Sequence, residues 1–331
     1  MSNAKLLALV KSLSRPQELE CIRTGIHAID LLLGDGVPVG KVLEVFGPEQ
    51  GGKSLFAWHA AKAFQSAGGV AVLYDVEATA PRRWMGILGV REDLMVFRRQ
   101  RRTVSKDGDK SKIVDRGLDS IESITRDMTT LVPALRKLTE GPILVIWDSV
   151  AAACSEDEWE KKSGGWEMSE RGYFALRAKA MSINMPRIVP MLADNRATLM
   201  AINQIREKPG VMYGKKTDTP GGKALKFYST IRLEFTRMGR INKEGKYVGV
   251  EVRAKVEKTK LTEPFREVEM KVNWTNGFEA MSGLPEVLEK ANRIQPGKVA
   301  GHWQFDKVAL NTRNLPELVE RRKDDLLAAW L

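Results

Sequence analysis

The chain has 331 residues, 43% hydrophobic and 29% charged, enough for one large core and a small appended unit, and no apolar run reaches bilayer-spanning length. A formal net charge of +11 favours a polyanionic partner, whether nucleic acid, an acidic protein or a lipid surface. Two distant cysteines, Cys21 and Cys154, exclude a disulfide framework and cysteine-based metal spacing, so a reducing cytoplasm is the expected compartment.

Residues 4–13 read as a short helix ended by Ser14-Arg15-Pro16, too short and too interrupted by Lys5 and Lys11 for a signal peptide. From Gly40 short apolar strands alternate with longer helical stretches. The expected strands are 41–46, 70–75, 143–147 and 198–203, and the helices are 55–67, 81–88 and about 118–138, with a kink allowed at Pro133. Such alternation implies right-handed βαβ units and a largely parallel, buried sheet. The basic stretch 98–116, opening Arg98-Arg99-Gln100-Arg101-Arg102, reads as a mobile surface loop. After Tyr228 the period drops to two. Ile231, Leu233 and Phe235 alternate with Arg232 and Glu234, and Val250 to Val256 and Val268 to Val272 repeat the pattern, as antiparallel strands extending the sheet would. A boundary near Gly283 leads to two helical segments around a β-like piece at 302–305.

Gly47-Pro48-Glu49-Gln50-Gly51-Gly52-Lys53-Ser54 fits the P-loop spacing and stands between an apolar strand and a helix. In that setting the glycines let backbone N–H groups curl around phosphates, Lys53 neutralises the β- and γ-phosphates, and the Ser54 hydroxyl can coordinate Mg2+. Asp148, ending an apolar strand, can hold Mg2+ through water, with a helix N-cap as the competing reading. Glu77, just past strand 70–75, can orient the attacking water; Asp75 competes for that role. These residues alone describe a P-loop NTPase.

The P-loop with its flanks, Trp147-Asp148-Ser149-Val150-Ala151-Ala152, Ala201-Ile202-Asn203-Gln204-Ile205-Arg206 and Gly221-Gly222-Lys223-Ala224-Leu225-Lys226-Phe227-Tyr228 together resemble the RecA recombinase family. The resemblance runs from about Ile22 to Phe278 and continues weakly beyond, as in a divergent bacterial or bacteriophage-encoded member. It implies that Glu77 activates water and that Gln204 senses the γ-phosphate at the start of a second DNA-binding loop, about 206–224. That loop supplies Arg206, Lys208, Lys215, Lys216, Gly221, Gly222 and Lys223. The first DNA-binding loop would be about 155–171, where Lys161, Lys162, Gly164, Gly165, Trp166 and Arg171 combine charge, flexibility and an aromatic; a solvated loop is the competing reading. Lys258 and Lys260 match lysines that reach a neighbouring protomer's ATP, and Phe227 matches an interface aromatic.

The family pattern is not followed everywhere. Trp84 stands where a tyrosine near adenine is common, Pro81 where an aspartate often meets the base, and Lys223 where an asparagine is common. The N-terminal segment is short, no acidic tail ends the chain, and the basic stretch at 98–116 is unexpected, either an extra DNA contact or a solvated loop.

The expected fold is α/β: a RecA-like P-loop ATPase core (21–282) with a mainly parallel sheet and an antiparallel extension, a short N-terminal helix (1–20), and a small α+β C-terminal domain (283–331). The implied function is an ATP- and Mg2+-dependent recombinase that forms a filament on single-stranded DNA, pairs it with duplex and exchanges strands. Loader or mediator proteins are candidate partners and a membrane is not. The alternatives are an accessory RecA-like mediator without strand exchange and, further off, a ring-forming helicase.

Overall fold

The computed structural model describes residues 19–78, 82–99, 103–107, 110–115, 120–163, 170–207, 217–297, 299, 301–305, 308–311 and 313–321. The expected helix at 4–13 lies outside them. A nine-stranded sheet organises the chain. Its strands are β1 (Val42–Gly47), β2 (Val70–Asp75), β3 (Met95–Arg99), β4 (Ile143–Asp148), β5 (Ala197–Gln204), β6 (Ile231–Lys243), β7 (Lys246–Thr259), β8 (Glu267–Asn273) and β9 (Gly277–Phe278). Their spatial order is β9-β8-β7-β6-β1-β5-β4-β2-β3. The six strands from β6 to β3 are parallel and the β7–β8–β9 extension is antiparallel, as the two sequence periods imply.

Helices α1 (His27–Leu33), α2 (Lys53–Ser66), α3 (Arg82–Leu88), α4 (Ile121–Arg136), α5 (Glu156–Ser163), α6 (Glu170–Asp194), α7 (Gly222–Tyr228), α8 (Leu284–Lys290) and α9 (Leu315–Arg321) complete the principal elements. The continuous apolar runs of the central strands are explained by cover on both faces. On β4, Leu144 and Ile146 pack with Phe56 and Phe64 of α2, whereas Ile143, Val145 and Trp147 pack with Ile124 and Met128 of α4 and Met185 and Ile188 of α6. α4 starts at a capping box formed by Ser120 and Ser123 and runs through Pro133 as one helix.

The stretch at 98–116 departs from the loop reading. It contributes the end of edge strand β3 and then a hairpin, Thr103–Asp107 against Lys110–Asp115, with Asp107 opposite Lys110. The overlooked signal is Gly108-Asp109, a residue pair that favours two-residue hairpin links. At the other end, α8, three short strands (Gln295–Pro296, His302–Phe305 and Val308–Asn311) and α9 realise the expected order. Leu284, Leu288, Leu310, Leu315 and Val319 join the main apolar cluster.

Candidate nucleotide and DNA site

Parallel pairing brings four separate sequence blocks to one sheet edge. Gly47 stands opposite Gln204, Asp75 opposite Asp148, and Asp148 opposite Ile202, so the C-terminal ends of β1, β2, β4 and β5 meet there. Ligands of open α/β sheets bind at this edge. The P-loop continues β1 directly into α2. Gly47 has φ +146°, and a Cβ there would come within 2.0 Å of the Phe235 carbonyl oxygen, so no other residue fits without moving β6. Gly52, at φ 92°, turns the chain into the helix.

Lys53 is buried, and its Nζ donates to the carbonyls of Gly47 (3.1 Å) and Pro48 (2.6 Å). Burial lowers the proton affinity of this ammonium, while Asp148, Glu49 and Glu77 raise it. The Ser54 hydroxyl donates to Asp148 Oδ2 at 2.8 Å, joining the expected Mg2+ ligand to the carboxylate expected to hold the ion through water. Burial first, then Glu77 and Asp75, push the Asp148 carboxyl up to about 6 against the pull of Ser54 and Lys53. Across from it, Glu77 Oε1 accepts from Ser149 Oγ and from Gln204 Nε2 (3.2 Å). Glu77 is exposed and Asp75 buried, so Glu77 is the better placed of the two carboxylates to meet a substrate water. From sequence Ser149 offered only a helix N-cap or a place in the Trp147–Ala152 block, not a partner for Glu77. Trp84, on α3, is half-buried against the main core.

Lys258, Lys260 and Phe227 form a second cluster. Lys258 Nζ donates to the carbonyls of Lys226 (2.6 Å) and Phe227 (3.0 Å), and Lys260 Nζ lies 5.9 Å from the centre of the Phe227 ring. Burial, then Lys260 and Arg232, lower the Lys258 proton affinity. Phe227 is 69% exposed. Lys258 is in register with Arg232, which faces Glu44, three residues before Gly47. At the strand rise this sets the lysine about 10 Å back along the sheet from its own P-loop.

The candidate DNA segments are only partly loops. Lys161 and Lys162 lie on α5, and Arg171 opens α6, so helix replaces much of the expected first loop. The helix is held by a buried ion pair that sequence did not reveal: Arg177 on α6 binds both oxygens of Glu158 (2.8 and 3.0 Å) and the Ala151 carbonyl (3.0 Å). In the second segment Arg206 pairs with Asp218 in a short antiparallel bridge, Arg206–Glu207 against Thr217–Asp218, and α7 begins at Gly222. Gly221 and Gly222 have positive φ, and a Cβ on Gly222 would lie 2.6 Å from Ala178 Cβ, so close packing of α7 on α6 demands this glycine apart from any ligand. Lys223 is exposed. Pro81, Gly164, Gly165, Trp166, Lys208, Lys215 and Lys216 lie outside the described residues.

A P-loop opening a helix, with a carboxylate at the end of the strand two places along and a parallel sheet continued by antiparallel strands, defines an ATPase core of the RecA-like class. Comparison with known proteins makes the class specific. The family model described as the RecA N-terminal domain matches residues 4–116 and 130–279. Protein RecA of Thermus thermophilus is 34% identical over 324 residues, covering 94% of this chain and 86% of the relative. Protein RecA of Chlamydia pneumoniae is 32% identical over 329 residues, with 96% and 85% covered, and that of a Caulobacter species is 33% identical over 312 residues, with 93% and 78% covered. The chain belongs to the RecA family. It is an ATP-dependent DNA recombinase and a DNA-dependent ATPase, and nothing in these likenesses favours the accessory reading. Among the described residues no helix is long and apolar enough to cross a membrane.

Proposed function

We propose that ATP binds across the P-loop edge of the sheet, Mg2+ being held by Ser54 and Asp148, and that hydrolysis controls a filament on single-stranded DNA which pairs with duplex and exchanges strands. The observation that carries the residue-level reading is the meeting of Lys53, Ser54, Asp148, Glu77 and Gln204 at one sheet edge. The oxygen donors Ser54 and Asp148, 2.8 Å apart, suit a hard divalent cation. When bound, that cation would neutralise charge on the β- and γ-phosphates.

The protein's own groups supply the rest. Backbone amides of Glu49 to Ser54 cradle the phosphates. Lys53 trades the Gly47 and Pro48 carbonyls for phosphate oxygens. Glu77 accepts hydrogen bonds and orients the attacking water. Gln204, bonded to Glu77, is within reach of the γ-phosphate position, so its side chain can report nucleotide state to the segment at 206–224. Trp84 stacks near the adenine. Lys258, set back along the sheet from its own P-loop, and Lys260 serve the ATP of the next protomer, with Phe227 in the same interface. DNA meets Lys161, Lys162, Gly164, Gly165, Trp166 and Arg171 on one side, and Arg206, Lys208, Lys215, Lys216 and Gly221 to Lys223 on the other.

Residues 21–282 act as the ATPase and DNA-binding core, flanked by an N-terminal segment (1–20) and a small C-terminal unit (283–331). The cytoplasm is the proposed compartment, with loader or mediator proteins as further partners. The test is strand exchange between a fluorophore-labelled duplex and homologous or scrambled single strands. Signal that requires ATP and homology, and is lost in Lys53→Ala along with ATP-dependent filament assembly, is the expected result. DNA binding and ATPase without exchange would restore the accessory reading.

A further inference from the structure

Directly behind Gln204 lies a polar cluster with no part in nucleotide or DNA contact. Asn203 on β5 and Glu44 on β1 are fully buried. Asn203 Nδ2 donates to Glu44 Oε1 (3.0 Å) and to the Pro220 carbonyl (2.9 Å), while its Oδ1 accepts from the Gln204 backbone N–H (3.1 Å). Both amide hydrogens and the carbonyl of this side chain are therefore committed. Glu44 Oε2 accepts from Arg232 Nε at 2.5 Å, and Arg232 also reaches Thr219 Oγ1 at 3.4 Å and lies over the Phe46 ring, 4.4 Å from its centre.

Four elements are tied at one point: the strand feeding the P-loop, the strand ending in Gln204, the residues just before α7, and β6, which carries Arg232. A carboxylate buried among Val42, Leu43, Val45 and Phe46 is not a stabilising choice in itself, since well-packed apolar side chains usually serve stability as well or better. What the cluster provides is direction. Asn203 is bonded to the backbone of the γ-phosphate sensor on one side and to the C-terminal root of the second DNA segment on the other, so displacement of Gln204 pulls on Pro220 through one rigid amide.

We propose that Asn203, seated by Glu44 and Arg232, is a positioning residue that couples Gln204 to the 217–224 root of the second DNA segment and so sets how strongly bound nucleotide changes affinity for single-stranded DNA. The inference rests on the nucleotide-sensing reading of Gln204 given above. It adds a through-core route to the far end of the segment, beside the covalent route from Gln204 into its near end.

The test compares the affinity of a labelled oligothymidine in ADP with that in a non-hydrolysable ATP analogue, for the intact chain and for Asn203→Ala. The intact chain should show a ratio of about tenfold or more, and the variant a ratio within about twofold, with analogue binding in the absence of DNA little changed. Hydrogen exchange of 217–224 should respond to the analogue in the intact chain and not in the variant, while the P-loop is protected in both. Asn203→Ser, whose shorter hydroxyl stops short of the position from which Nδ2 reaches Glu44 and Pro220, should behave as Asn203→Ala does and decides the matter if the alanine variant misfolds. A preserved ratio and a preserved exchange response in a folded variant would overturn the proposal and leave the cluster merely structural. A flat ratio in the intact chain would instead count against the nucleotide-sensing reading itself.

Discussion

Replacing Asp148 with asparagine should stabilise the protein without nucleotide while abolishing its Mg2+-dependent ATP hydrolysis. The carboxyl ends β4 inside the sheet edge, where burial first and then Glu77 and Asp75 raise its ionisation from the ordinary 3.8 to about 6. Between those values the folded state holds a proton that the unfolded state has released. Stability is therefore lost as pH rises from about 4 to about 6, and the loss is constant above that window. At about 1.4 kcal/mol for each tenfold change in proton affinity, the ionised carboxylate costs about 3 kcal/mol at most near pH 8. Asparagine keeps an oxygen for the Ser54 hydroxyl and carries no charge, so the variant should recover about 1–3 kcal/mol at that pH. Urea unfolding of both proteins at about pH 4.5, 6 and 8, without nucleotide, measures this difference, which at the acid end should be about a third of its value at pH 8. A variant equally stable or less stable at pH 8, or a difference independent of pH, would refute the reasoning.

Lys258→Ala should lower DNA-stimulated ATP turnover by roughly a hundredfold or more while leaving ATP binding by isolated protomers intact. Filaments mixing it with Lys53→Ala should regain part of the activity, because some interfaces then join an intact P-loop to an intact lysine; no recovery would argue against action in trans. Arg177→Ala leaves Glu158, 1% exposed, without its guanidinium, and should cost about 3–5 kcal/mol in urea unfolding, whereas replacing both residues with apolar ones of similar volume should be close to neutral. Changing Lys161 and Lys162 together to alanine should flatten the salt dependence of single-strand binding by up to about 1.4 in the logarithmic slope, read from titrations across a salt series. An unchanged slope would remove α5 from the DNA surface.

Much of the candidate site's sheet edge was legible because its signals are local. The strand Val70–Asp75 has the expected bounds, since an apolar run there is closed by Gly68-Gly69 on one side and by carboxylates on the other. The P-loop strand was expected to stop at Phe46 but runs to Gly47, which still pairs with Gln204. The turn residues Asn242 to Gly245 form the tight β6–β7 link, where Glu244 and Gly245 both have positive φ. What stayed hidden depends on partners distant in sequence. Arg232 reads as the solvent face of an alternating strand, but β6 lies inside the sheet beside β1, and that face is closed by Glu44 and Thr219. Glu44 and Asn203 each look like a blemish in an apolar run, and only the parallel register of β1 with β5 makes them a pair. A lone polar residue in a strand otherwise apolar on both faces is thus a signal worth keeping: burial without a partner is too costly to persist. The next question for such a residue is which neighbouring strand carries its complement. Here the complement ties Gln204 to Pro220, just before α7, which a reading of either strand alone would not have connected.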